Sequence, residues 1–139
     1  MQDRTGAEIV CRQKPLTMPA VATVAQACEA MHRRRVGAVL VVEDEDRLVG
    51  IFTGRDAVRC LAEGQDGATA LSQVMTRNPI TLPPDAHAID ALRILDDAGF
   101  RHLPMCRDGR VVGVLSRYDF RAMEYARLNE ENRFFEILR

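Results

Sequence analysis

The stretch GIFTGRD at residues 50–56 returns as GVLSRYD at residues 113–119. Both copies run glycine, two bulky apolar residues, a hydroxyl (Thr53, Ser116), two variable residues and an aspartate (Asp56, Asp119). Similarity at a fixed interval marks a repeated structural unit, and the echo extends outward. Residues 15–42, PLTMPAVATVAQACEAMHRRRVGAVLVV, align without a gap on residues 79–106, PITLPPDAHAIDALRILDDAGFRHLPMC. Pro15, Thr17, Pro19, Ala22 and Ala27 then fall on Pro79, Thr81, Pro83, Ala86 and Ala91. The first copy carries one extra residue, in EDEDR against RDGR, so the period is about 63–64 residues.

Each copy reads as a short extended segment after a proline, a helix, two strands and another helix. Val21, Val24, Cys28 and Met31 in the first copy, and Ile89, Leu92 and Leu95 in the second, keep helical spacing, so one face of each helix is buried. AVLVV and LVGIF, then HLPM and VVGVL, are short apolar runs joined by charged turns, as expected of strands covered on both faces. One helix on a strand pair leaves the other face bare. The expected fold is therefore α+β: two β-α-β-β-α repeats related by a pseudo-twofold axis and packed through their sheets, leaving two equivalent clefts, plus a C-terminal helix. The boundaries drawn are 8–64 and 79–122 for the repeats, 65–78 for a linker and 123–139 for the last helix. EGQDGATALSQVMTRN (63–78) supplies glycines that stop a helix, then a helical turn. FRAMEYARLNEENRFFEILR (120–139) lacks glycine and proline and is expected to continue from Asp119 as one long helix. Its stripe of Tyr125, Leu128, Phe135 and Leu138 is longer than the second repeat can cover, which makes it the expected handle for another chain.

Composition narrows the function. The 139 residues include 19 basic and 20 acidic ones for a net charge of −1, which gives no electrostatic drive toward nucleic acid or an anionic membrane. No apolar run approaches the roughly 20 residues of a membrane helix. Cys11, Cys28, Cys60 and Cys106 show no C-x-x-C spacing and the chain opens on a polar MQDRTG rather than a charged start followed by an apolar run, so reduced thiols and a cytoplasmic location are expected. His32, His87 and His102 share no ligand spacing with the cysteines, and no metal is expected. Cys106 and His102 lie four apart on a strand without a third orienting group, and a P-loop is absent, so neither a catalytic residue nor an enzyme is expected. HRRR at 32–35 reads as a solvated helix end, where cations favour the dipole.

Two readings of the doubled motif stand open. In one, hydroxyl and carboxylate form a capping box that satisfies helix-entrance amides. Aspartate is shorter than the Glu or Gln that box prefers. In the other, the carboxylate accepts two neighbouring hydroxyls of a sugar, while the helix N-terminus and the Thr or Ser hydroxyl attract a phosphate.

GIFTGRD and GVLSRYD match the pattern G-h-h-[T/S]-x-x-D. Together with VMTRNPITLPPDA, FRHLPM and VGAVLVV they make the chain resemble a tandem pair of CBS domains, also called a Bateman module, from about residue 8 to about residue 122. The resemblance implies a regulatory module that binds an adenine nucleotide such as AMP, ADP or ATP as ligand, with no catalytic cofactor, and signals to an unidentified effector protein. It also implies a homodimer. Carried over, it places Asp56 and Thr53 at one site and Asp119 and Ser116 at the other, with adenine against main chain at Leu16 and Thr17, or at Ile80 and Thr81. Gly54 and Arg55 in one copy, and Arg117 and Tyr118 in the other, stand between hydroxyl and carboxylate, so unequal phosphate affinities are expected. Arg101 and His102, where the first copy has Gly37 and Ala38, either meet a phosphate or cap a strand entrance. Leu40 in place of Pro104 is expected to alter only strand entry. The alternative function is a structural dimerisation or interaction module without a physiological nucleotide.

Overall fold

The computed structural model describes residues 4–98 and 101–137. In chain order its elements are α1 (Gly6–Val10), β1 (Thr17–Pro19), α2 (Val24–Arg34), β2 (Ala38–Glu43), β3 (Arg47–Thr53), α3 (Gly54–Ala62), α4 (Leu71–Val74), β4 (Thr76–Arg77), α5 (Ala88–Ala98), β5 (His102–Arg107), β6 (Arg110–Ser116) and α6 (Ala122–Ile137), with a 3-10 turn at Arg117–Asp119. The α+β reading with two repeats and a C-terminal helix holds. Leu138 falls outside the described residues.

The chain forms two compact units that do not coincide with the sequence repeats. A central unit comprises Lys14–Ile80 with the hairpin tip Cys106–Val111, and a terminal unit comprises Met1–Gln13, Thr81–Met105 and Val112–Arg139. In the central unit β1 pairs parallel with β2, and β2 pairs antiparallel with β3. Val41 faces Gly50 and Val42 faces Leu48, so β3 bulges at Val49 beside the turn that holds the extra residue. Val24, Ala27 and Met31 of α2 pack with Val39, Val41, Phe52, Cys60, Leu71 and Val74 into one core. Val21 does not join them. It precedes the helix, whose N-cap is Thr23, and is 81% exposed. In the terminal unit Ile89, Leu92 and Leu95 of α5 pack with Val10, Leu103, Met105, Leu115, Phe120 and Leu128.

The segments before each repeat explain this division. The amide of Gly6 donates to Ala86 O at 2.7 Å and that of Ala7 to Pro84 O at 2.8 Å, which fastens α1 to the entrance of α5. In the same way Leu71 N donates to Ala22 O at 2.8 Å and Ser72 N to Ala20 O at 3.0 Å, fastening α4 near the entrance of α2. α1 then covers the motif glycine of its own unit, and the residues that follow α4 cover the other. A Cβ on Gly113 would lie 2.6 Å from Val10 Cβ, and one on Gly50 would lie 2.6 Å from Met75 Sδ and 2.9 Å from Thr76 O. The repeated glycine is thus a site of close backbone approach.

Two further expectations need correction. Pro104 does more than alter strand entry. Leu40 N donates to Leu16 O at 2.9 Å in the first repeat, whereas Pro104 has no N–H to give, and the parallel ladder of the second repeat shrinks to the bridge between Leu82 and Met105. The C-terminal helix also does not continue from Asp119. Phe120 is extended (φ −98°, ψ 149°) and α6 starts afresh at Ala122. Along α6, Leu128 is buried and Tyr125 half-buried against the terminal unit's own core, so these two residues of the stripe are already covered.

Adding a Cβ beside the branched, backbone-proximal Val10 side chain forces overpacking, so Gly113→Ala should lower stability by about 1–3 kcal/mol. Gly50→Ala should also destabilise, because Met75 can yield but the Thr76 carbonyl, 2.9 Å away, is backbone. Urea unfolding checks both; an unchanged midpoint for Gly113→Ala contradicts the packing account.

Candidate functional site

Each motif sits where a strand leaves a core and the chain turns into a helix. Thr53 ends β3 in extended conformation (φ −114°, ψ 171°) and caps α3. Its amide donates to Asp56 Oδ2 at 2.9 Å, its Oγ1–H to the same oxygen at 3.1 Å, and Oγ1 accepts from Asp56 N at 3.3 Å. The second motif repeats the first two of these bonds. Ser116 N donates to Asp119 Oδ2 at 2.7 Å and Ser116 Oγ at 3.2 Å. The capping box is therefore formed in both repeats, and the shorter aspartate suffices for it. In both repeats one oxygen, Oδ2, is engaged by the protein's own amide and hydroxyl, and Oδ1 takes no part in the cap.

The second oxygens differ between repeats. Asp56 Oδ1 lies 3.4 Å from Arg59 Nη2, one helical turn on, while Arg59 also donates to Val74 O at 2.7 Å. In the second repeat Ala122 stands in that register, and no ion pair to the Asp119 side chain occurs among the described residues. Arg59 was not among the expected site residues; its spacing of three from Asp56 on one helix is the signal that could have found it. Arg55 is exposed, whereas Arg117 donates to Leu95 O at 3.2 Å and Tyr118 is 98% exposed.

The break at Phe120 leaves the carbonyls of the 3-10 turn without helical partners. Side chains distant in sequence take them. Tyr125 Oη donates to Arg117 O, and Arg4 Nη2 donates to Asp119 O at 3.0 Å. Arg4 also grips Glu124 with two bonds, Nη2 to Oε1 at 2.6 Å and Nε to Oε2 at 3.1 Å. Glu124 Oε1 accepts from Arg121 N at 2.8 Å, capping α6. Burial works to raise the Glu124 pKa, but hydrogen bonds from Arg4 and the Arg121 amide outweigh it and leave it below its ordinary value. With 120 residues between Arg4 and Glu124, no local pattern announces this pair.

His102 occupies the place held by the buried Ala38 of the first repeat. Its Nδ1 is buried without a hydrogen-bond partner. Burial pushes the imidazole pKa down, the Arg101 charge adds to the push, and Asp119 opposes it. At neutral pH the Arg101–His102 pair therefore offers one positive charge, on the exposed Arg101. Cys106 is pushed up by burial and stays a thiol, in keeping with a structural role.

Main chain at the outer strand completes the set. Leu16 O is engaged by β2, so strand alternation turns the peptide groups of Thr17 toward the free edge of β1. Thr17 faces Leu40 and Thr53 faces Ala38, which places the two at neighbouring levels, separated by the width of β2. Two strand spacings amount to about 10 Å. In the terminal unit Leu82 N donates to Pro104 O at 3.1 Å, and Thr81 is exposed beside it; Ile80, half exposed, belongs to the central unit.

A family model described as CBS domain matches residues 7–63 and again residues 71–123. The chain belongs to the CBS domain family and carries two copies of that domain. A CBS domain-containing protein of Arabidopsis thaliana, CBSCBSPB3, is 43% identical over 104 residues; the match covers 73% of this chain and 19% of that protein. This chain thus spans about a fifth of that relative's length. Among solved structures, a CBS domain protein from Pyrobaculum aerophilum complexed with AMP has a TM-score of 0.84 at 23% identity, over 91% of this chain and 99% of that one. The CBS domain pair of protein MJ0100, in complex with 5'-methylthioadenosine and S-adenosyl-L-methionine, has a TM-score of 0.78 at 22% identity, over 94% and 99%. At these identities the likeness establishes the shared fold. Among the described residues no helix is long and apolar enough to cross a membrane, and no group of His, Cys, Asp and Glu could hold a metal ion.

Because the folded pKa of His102 lies below its ordinary 6.5, the unfolded chain takes up this proton first. The stability contributed by the neutral ring is complete above about pH 6.5 and is lost as pH falls from there toward the folded value. His102→Ala should therefore flatten the decline in stability between about pH 7.5 and about pH 5.5, measured by urea unfolding. An unaltered slope contradicts a buried neutral ring.

Proposed function

We propose that this CBS pair is a regulatory, ligand-sensing module that binds an adenosine-containing nucleotide or relative at Asp56 and at Asp119, without turnover, and signals to a partner protein as a homodimer. The observation that carries the reading is the division of labour within each carboxylate. Oδ2 closes the cap and so fixes the rotamer, leaving the acceptor lone pairs of Oδ1 aimed by a group already ordered. Neighbouring ribose hydroxyls suit such an acceptor. The base would lie along the free edge at Thr17 or Thr81, and a phosphate would meet the helix entrance with Arg55 or Arg101 nearby. That AMP and S-adenosyl compounds accompany two solved structures of this fold supports the choice of an adenosine ligand.

The sites should be unequal. Arg59 competes for Asp56 Oδ1 in the first, and among the described residues no ion pair does so in the second. Binding changes the module's conformational balance only to the extent that one arrangement holds the ligand better.

The completeness of both caps favours a second reading, a structural interaction module in which the aspartates serve stability alone. Asparagine separates the two. Its carbonyl can still accept from Thr53 N or Ser116 N, while the anionic acceptor for a sugar is lost. Calorimetry with AMP, ADP, ATP, 5'-methylthioadenosine and S-adenosyl-L-methionine should show Asp56→Asn and Asp119→Asn each weakening one site by about 1.5–3 kcal/mol, roughly 10- to 150-fold in Kd. Thermal stability should change little. Unchanged affinity in both variants, or no binding of any of the five by the parent, favours the structural reading.

A further inference from the structure

We infer that Arg4 is a positioning residue for the second site, tying the turn that carries Asp119 to the first turn of α6 so that ligand occupancy and seating of that helix are coupled. The inference rests on the proposed role of Asp119 in ligand binding and goes beyond it, since Arg4 lies upstream of both family-matched segments.

Geometry supports it from three sides. First, the Arg4 backbone is anchored: its carbonyl accepts from Ala88 N at 2.7 Å, and the next residues, Thr5 and Gly6, are fixed at His87 and Ala86. Second, one guanidinium reaches both segments, Asp119 O at 3.0 Å and the Glu124 carboxylate at 2.6 and 3.1 Å. The side chains of Arg4 and Glu124 are only 17% and 13% exposed, so solvent screens the pair weakly. Third, Glu124 Oε1 also accepts the Arg121 amide that opens α6. A shift of the Asp119 carbonyl toward a ligand therefore alters one of the three bonds that hold this arginine, and Glu124 transmits the change to the helix cap.

Among the described residues the first repeat lacks this device. There α3 runs on from Gly54 to Ala62, and the carbonyls beyond the cap lie within a helix. Coupling through Arg4 should thus be confined to the second site. Lysine cannot replace it, because a single ammonium on a flexible stem does not reproduce a planar fork with two bonds to Glu124 and one to a carbonyl.

The test combines calorimetry with hydrogen exchange on the full chain, using AMP or whichever of the five adenosine compounds the parent binds most tightly. In the parent, ligand should raise protection of the α6 amides from Tyr125 to Leu128. In Arg4→Ala, Arg4→Lys and Glu124→Gln, that rise should be lost and the second site should weaken about 5- to 20-fold, roughly 1–2 kcal/mol by the affinity relation, with the first site unchanged. Asp119→Asn marks which site is which. A merely structural role for Arg4 would lower thermal stability while leaving ligand-dependent protection intact. Glu124→Gln keeps an acceptor and serves should the Arg4 variants fail to fold. Variants that bind and protect like the parent overturn the inference alone; a parent that binds none of the compounds overturns the reading beneath it.

Discussion

A carboxylate that closes a helix cap with one oxygen and keeps the other out of the cap is the interaction around which each repeat is organised. At Asp56 and Asp119, Oδ2 takes the amide and hydroxyl of the residue that ends a strand. The cap stabilises by about 1 kcal/mol, as such caps do. Its larger effect is on geometry, because a carboxylate pinned on one side loses little further freedom when its other side meets a ligand. Capping by Oδ2 is thus compatible with the binding proposed for Oδ1.

Beyond this shared cap the two repeats diverge. After Asp56 the chain stays helical to Ala62, and the helix closes with Gly64 in left-handed conformation (φ 72°), Gln65 N donating back to Cys60 O at 2.9 Å and Gly64 N to Leu61 O at 3.2 Å. After Asp119 the chain breaks at Phe120, whose ring is buried and meets Tyr125 edge to face at 6.3 Å between centroids. The freed carbonyls are then held by Tyr125 and Arg4. One repeat ends its cap in a self-contained helix, and the other delegates it to both ends of the described chain. The unequal sites proposed above would arise from this difference as much as from the variable residues inside the motif.

Much of this was legible from the chain itself. The helical spacing of Ile89, Leu92 and Leu95 located a buried face, and the doubled G-h-h-[T/S]-x-x-D located two strand-to-helix turns with their carboxylates. Local patterns report what neighbours in sequence do. They were silent where the partner is remote: the reciprocal placement of α1 and α4 against Gly113 and Gly50, and the bonds from Arg4 to Glu124 and Asp119 O. The start of the long C-terminal helix was hidden for a related reason. Helix propensity runs unbroken through Phe120, yet burial of its ring and satisfaction of the turn's carbonyls by other side chains favour an extended residue there. Val21 fits a helical period but lies beyond the Thr23 cap, where chain geometry outranks periodicity.

In the proposed function, the second carboxylate oxygen is the atom on which ligand binding depends. A crystal structure of the protein with AMP tests its role most directly. The expected result is a ribose hydroxyl within hydrogen-bond distance of Oδ1 of Asp119, of Asp56 or of both, while Oδ2 stays on the Ser116 or Thr53 amide. Nucleotide bound away from both aspartates, or binding that requires the caps to open, would contradict it.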